Sequence, residues 1–190
     1  MNKKKIIEIR VNHGYQEPTI LGSDYHFGGG WGLTTGKPIL VPNRDWRPFL
    51  PPFEPQSRNI ETNACTQYAT LEGAESLIKR KFGFIKNHSD RALAILSNNS
   101  IYGNDPNITA QTLRDNGAMP EEEFPFTDKI QSWEEFMNPA PYTKDELSKR
   151  SKEWGFDFKY EWVKIDPEKM WNALQYSRLC VSVMAWRKEG

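Results

Sequence analysis

The chain has 190 residues, enough to bury a core without disulfides, and its 13% aromatic content, with seven Trp, sets it apart from disordered sequences. Lys+Arg and Asp+Glu balance at 25 each, so no net positive field draws it to nucleic acid or to an anionic membrane. Its two cysteines, Cys65 and Cys180, exclude a disulfide framework and favour a reducing compartment.

The basic start, residues 1–5, lacks the apolar run of a signal peptide, because Glu8, Arg10 and Asn12 interrupt it. No stretch approaches the ~20 apolar residues of a membrane span. Residues 4–11 alternate apolar and polar positions and predict a strand. Residues 21–36 are irregular. Their Gly28, Gly29 and Gly30 lack the strand, the helix and the Gly-Lys-Ser/Thr ending of a phosphate-binding loop. Prolines at 38, 42, 48, 51, 52 and 55 predict an extended segment.

From Cys65 the pattern changes. Cys65, Tyr68, Leu71, Ala74, Ile78 and Phe82 recur at helical spacing and predict a helix to about Lys81. Asn63 or Thr62 is its expected cap, Gly83 its stop, and Lys79, Arg80 and Lys81 complement the dipole at its end. A second helix is expected over residues 106–116, between Asp105-Pro106 and Gly117. Glu121, Glu122 and Glu123 read as a solvated acidic turn with no matching metal-ligand cluster, so neither metal nor cofactor is expected. A third helix, residues 144–154, opens on a Thr143/Glu146 capping-box pattern. Residues 158–165 alternate as a strand, 166–177 form a helix behind Asp166-Pro167, and 179–186 form an apolar strand with Cys180 in the core. Helices first, then strand, helix and strand, predict an α+β domain.

Cys65 stands where a helix begins, beside unpaired N–H groups and the positive end of the dipole. Both favour the thiolate, which is the nucleophile. The residues around it resemble those of papain-like cysteine peptidases. Asp45-Trp46-Arg47 is similar to the opening of the mature domain in that family, and Cys65 follows 20 residues after Asp45. Residues 63–69, Asn-Ala-Cys-Thr-Gln-Tyr-Ala, resemble the active-site turn and the start of the central helix. Residues 96–103 resemble the glycine-containing substrate loop. Residues 112–117 with Glu122-Glu123-Phe124-Pro125-Phe126 resemble the helix, turn and aromatic-proline stretch that follow it. Cys180-Val181-Ser182-Val183 resembles the first sheet strand. The familiar Cys-Gly-Ser-Cys-Trp is here Thr62-Asn63-Ala64-Cys65-Thr66, without the upstream disulfide cysteine.

The resemblance implies a papain-like α+β fold: a helical subdomain whose central helix starts at Cys65, then an incomplete antiparallel sheet. Residues 1–40 would be an extension, either a pro-segment or a cleft-covering strand and loop, and 41–190 the peptidase domain. It implies Cys65 as nucleophile, Asn59 or alternatively Gln56 as oxyanion donor, and Tyr102, Gly103 and Asn104 as substrate-binding residues. The histidine and asparagine partners of such enzymes lie about 130–150 residues beyond the cysteine, and 125 residues follow Cys65 here. His13, His26 and His88 are expected to be structural or exposed, with His26 a remote candidate to fold over the cleft. Two functions follow: a cysteine-type peptidase acting on peptides or proteins, or a non-catalytic papain-like binding or structural module. In the second, a partner chain would cover the open sheet edge. A cytoplasmic or virion-associated location is expected, with no nucleic acid or membrane as partner.

Overall fold

A computed structural model of the chain describes residues 16, 18–20, 26–27 and 38–179. The helices are α1 (Cys65–Phe82), α2 (Asp90–Leu96), α3 (Pro106–Asn116), α4 (Trp133–Phe136), α5 (Lys144–Lys152) and α6 (Pro167–Ala173), with short 3-10 turns at Arg47–Phe49 and Glu121–Glu123.

Local chemistry explains most of these boundaries. α1 runs 18 residues, about 27 Å. It stops where Gly83 takes a left-handed conformation at φ 78° and donates its N–H to the carbonyl of Lys79. Asp105 caps α3 by accepting from the Asn107 N–H at 2.7 Å. Thr143 and Glu146 close a reciprocal capping box on α5, and Asp166 caps α6 through the Lys169 N–H at 3.0 Å. Gly117 ends α3 at φ 68°, and a Cβ there would run into the backbone of Ser151 and Gly155. That position needs glycine twice over, for its dihedral and for the close approach of α3 to the end of α5.

The core is organised around α2, every residue of which is buried. Its Ala94 packs with Ala64, Tyr68, Phe126, Ile130 and Phe136. Ala92, Ile95 and Leu96 pack with Met119, Phe124 and Leu147. Leu93 packs with Leu71, Ala74, Leu113 and Ala118. One short helix thus joins three apolar clusters. A helix buried on all sides shows no amphipathic period, so the sequence pattern passes over it.

The expected α+β fold with a papain-like sheet subdomain is overturned. Among the described residues there is no sheet, only isolated bridges at His26–Trp162, His88–Pro120 and Ser100–Gly103. Residues 158–165 alternate, but Phe158 and Tyr160 pack against helices, and the one backbone bridge, at Trp162, does not extend into a strand. Phe158 joins Phe156 on the Leu71–Leu113 cluster, and the Tyr160 hydroxyl reaches Gln111 at 3.2 Å. Without a sheet there is also no open sheet edge for a partner to cover among these residues. The strands expected at 4–11 and 179–186 fall mostly or wholly outside the described residues, as do Cys180, His13 and the three glycines at 28–30.

Smaller corrections follow the same logic. Phe82 closes the apolar stripe of α1 yet is 67% exposed, with the likewise exposed Phe84 ring beside it. α5 ends at Lys152 and α6 at Ala173, short of their expected limits. The proline-rich stretch, expected to be extended, is broken by a turn in which the Arg44 N–H bonds to the Val41 carbonyl at 2.9 Å and by its 3-10 turn. It is fastened to the end of α6 where Leu40 and Val41 donate to the Gln175 carbonyl. Trp46 is buried there and gives its indole N–H to Leu174 at 2.7 Å, while Arg47 pairs with Asp45 at 2.7 Å on the surface and holds that carboxyl down at about 2. No helix among the described residues is long and apolar enough to cross a membrane.

Candidate functional site

Cys65 is the first residue of α1, a half-buried free thiol. The side chains expected to cap the helix do other work. Thr62 Oγ1 accepts from the Ala64 N–H at 3.3 Å. Asn63, in the left-handed region at φ 51°, donates its Nδ2 to the carbonyl of Ile101 at 2.9 Å. That bond ties the cysteine turn to the tight turn of residues 100–103, so the two form one rim.

The turn is built around Gly103 at φ 88°. Ser100 and Gly103 exchange backbone hydrogen bonds, at 3.3 and 2.9 Å. Tyr102 and Ile101 are exposed beside it. Asn104 is buried and its amide donates to the Ser97 carbonyl at 2.9 Å, so its side chain props the turn from beneath. Its backbone carbonyl faces outward and accepts the Gln16 N–H at 3.0 Å. Gln16 Nε2 reaches the Gly103 carbonyl at 2.9 Å, and the Thr19 N–H reaches Asp105 at 3.2 Å. Gln16 is therefore seated on the turn through one backbone bond and its side-chain amide.

The oxyanion candidates are engaged elsewhere. Asn59 Nδ2 donates to the Asp128 carbonyl at 2.6 Å, and Gln56 Nε2 donates to Glu61 at 2.8 Å. Glu61 also accepts from the Ser57 hydroxyl at 2.6 Å and the Asn63 N–H at 3.0 Å, gathering residues 56–63 into one loop. Burial pushes the Cys65 thiol upward and the Glu61 charge adds to it, while the N–H groups of Thr66 and Cys65 act in the opposite sense. The expected preference for thiolate at the helix start is thus reversed: desolvation outweighs the helix terminus. No hydrogen bond joins Cys65 to a histidine among the described residues. His88 is buried and bonded through Nδ1 to Glu75 at 3.1 Å, as its structural reading requires. His26 is exposed, and its backbone pairs with Trp162.

A second constellation was not legible in the sequence. Glu54, Glu75 and Glu121 all act on the charge of Asp90, the buried first residue of α2. Glu75 accepts the His88 N–H at 2.7 Å, and Glu121 accepts the Phe126 N–H at 2.8 Å. Glu121, expected in a solvated turn, is instead partly buried, which pushes its carboxyl up to about 8. Burial also raises Glu75, against the pull of His88, and raises Asp90 well above the usual carboxylate range, with Glu54 adding to the effect. Among the described residues no group of histidine, cysteine and carboxylate side chains is arranged to hold a metal ion. No protein-family model matches this sequence, and no curated protein matches it.

Proposed function

We propose that this chain carries the nucleophile and part of the peptide-binding rim of a cysteine-type peptidase. The observation that carries this reading is the seat of Gln16. Gln16 gives its backbone N–H to the Asn104 carbonyl and its side-chain amide to the Gly103 carbonyl, on a turn that Asn63, two residues before Cys65, ties to the cysteine turn. A substrate backbone replacing Gln16 would give an N–H to the Asn104 carbonyl in its place, the kind of main-chain contact that β-strand addition uses. The ordered sequence resemblance to papain-like peptidases supports the same assignment.

In this mechanism the Cys65 sulfur attacks the substrate carbonyl and the thiol proton passes to a base outside the described residues. The same base protonates the leaving amine as the peptide C–N bond breaks. Water then cleaves the thioester. The Cys65 N–H would hold the oxyanion, together with Asn59 or Gln56 once released from Asp128 or Glu61. The proposed setting is the cytoplasm or a virus particle. The test is mass spectrometry of the full chain after an epoxide-type thiol-protease inhibitor. One adduct at Cys65 is expected, absent in Cys65→Ala and diminished by competing extended peptide. A Cys65 that reacts with iodoacetamide between pH 5 and 9 but never with the epoxide would sink the reading.

The raised thiol and the engaged amides favour a second reading, a non-catalytic peptide-binding module. There, Cys65→Ala would bind an extended fluorescent peptide as tightly as the native chain, and neither would cleave it.

A further inference from the structure

Cations and acids balance over the whole chain but not along it. Residues 79–86, Lys-Arg-Lys-Phe-Gly-Phe-Ile-Lys, carry four cations, no acid and three large apolar side chains. They form the end of α1 and the turn that follows it. The turn projects from the body of the molecule: a Cβ placed on Gly83 would meet no atom within 4 Å. On either side of it Phe82 and Phe84 are 67% and 57% exposed, with ring centroids 6.2 Å apart. A third ring belongs to the same surface. Lys79 Nζ donates to the Leu50 carbonyl at 3.2 Å and Asn87 Nδ2 to Glu54, so the loop between Leu50 and Glu54 is tied to both sides of the turn. Phe53 stands on that loop and is 87% exposed.

Single exposed apolar side chains are ordinary, but several phenylalanines gathered on one projecting surface mark a place that something covers. The charges around them say what. Lys86 is matched by Glu122 at 2.6 Å. Lys79, Arg80 and Lys81 make no ion pair among the described residues. Lys79 and Arg80 spend their hydrogen bonds on neutral carbonyls, those of Leu50 and Leu40, and Arg80 also lies over the Phe49 ring at 5.4 Å. Lys81 is exposed. Glu54, the one acid of residues 50–54, accepts from Asn87, and the surface keeps a net positive charge. The dipole of α1 favours cations at this end, yet it gives no reason for the bare rings. A projecting corner offers no groove to grip an extended peptide. Aromatic rings flanked by lysine and arginine are instead suited to a bilayer interface, the rings at headgroup depth and the cations on anionic lipid.

We propose that Phe53, Phe82 and Phe84 form the tip of a peripheral anchor that enters the interface of an anionic lipid surface, with Lys79, Arg80 and Lys81 meeting the headgroups. The chain rests on the membrane through this tip and does not cross it there, since no described helix is long and apolar enough to do so. The whole-chain balance of charge averages the patch away, whereas a lipid surface meets it locally, within a Debye length of about 10 Å.

The test is co-sedimentation of the full chain with two kinds of vesicle, phosphatidylcholine alone and phosphatidylcholine with about one third phosphatidylserine, at about 0.1 M salt. Binding to the anionic vesicles and not to the neutral ones is expected. The double variant Phe82→Ser/Phe84→Ser should weaken it about tenfold or more, and Lys81→Gln about five-fold. These side chains are exposed, so circular dichroism should show both variants folded. Equal binding to the two vesicles, binding to neither, or a double variant that binds like the native chain would overturn the proposal. If the double variant does not fold, Phe53→Ser reads the same surface: weaker binding supports the anchor and unchanged binding overturns it. A native chain that ignores both vesicles but binds a fluorescent peptide of alternating glutamate and leucine, and loses it with the two rings, serves an acidic protein partner. That result also overturns the membrane assignment.

Discussion

Two stations on one helix show opposite uses of burial. Cys65 opens α1, and Glu75 lies near three turns further along it. Burial pushes both acids toward their neutral forms. At Cys65 the neutral form is the silent one, since only a thiolate attacks, so chemistry there needs a base to take the proton. At Glu75 the neutral form is the one that suits its buried place, where it still accepts from the His88 N–H. The direction of a pKa shift therefore does not by itself mark a reactive group. What decides is whether the neighbours need the proton present or absent.

The largest effect that would break this contrast is at the packing they share. Phe136 is fully buried, sits with Ala64 and Tyr68, and meets Phe126 edge-on at 5.1 Å. Phe136→Ala is expected to cost about 3–5 kcal/mol in urea unfolding and to disturb both stations together. Glu75→Gln separates them. An amide oxygen still accepts from His88, but the group no longer ionises. The variant should match the native chain at pH 5 and melt higher at pH 9, with no change in Cys65 alkylation. Asp105→Ala removes the α3 cap and the contact to Thr19. It should cost about 1 kcal/mol and loosen the segment around Gln16, seen as faster exchange there. The smallest effect sharpens the contrast at the thiol. Glu61→Gln withdraws a negative charge that holds the thiol up, so iodoacetamide should react with Cys65 about two- to five-fold faster at neutral pH.

How much of this was legible depends on the range of each signal. α1, α3 and α5 could be placed because periodicity, a capping aspartate or threonine and a terminal glycine are local properties. α2 could not, because Arg91 to Leu96 carry no polar face to set the phase. The sheet was misplaced because alternation in Phe158, Tyr160 and Trp162 says which side is apolar, not what it packs against. The rim was half legible. Cys65 and Gly103 stand out by position, but only the fold reveals that Asn59 and Gln56 have other partners and that Asn104 points its amide inward. The raised carboxyls were invisible, since Glu75, Asp90 and Glu121 are unremarkable singly and are buried only when α1, α2 and the 3-10 turn are assembled.

Arg91 has a consequence of its own. Its one side chain serves four carbonyls, those of Glu135, Phe136 and Asn138 and, at 3.4 Å, that of Pro125, in a region with no strand alongside. It works as a fragment of backbone supplied from elsewhere, a planar fork of donors where a sheet would offer a row of amides. A lysine brings the same charge but no fork. The stretch from Trp133 to Asn138 is thus held twice, by the burial of Phe136 in the core and by this fork of donors on its carbonyls.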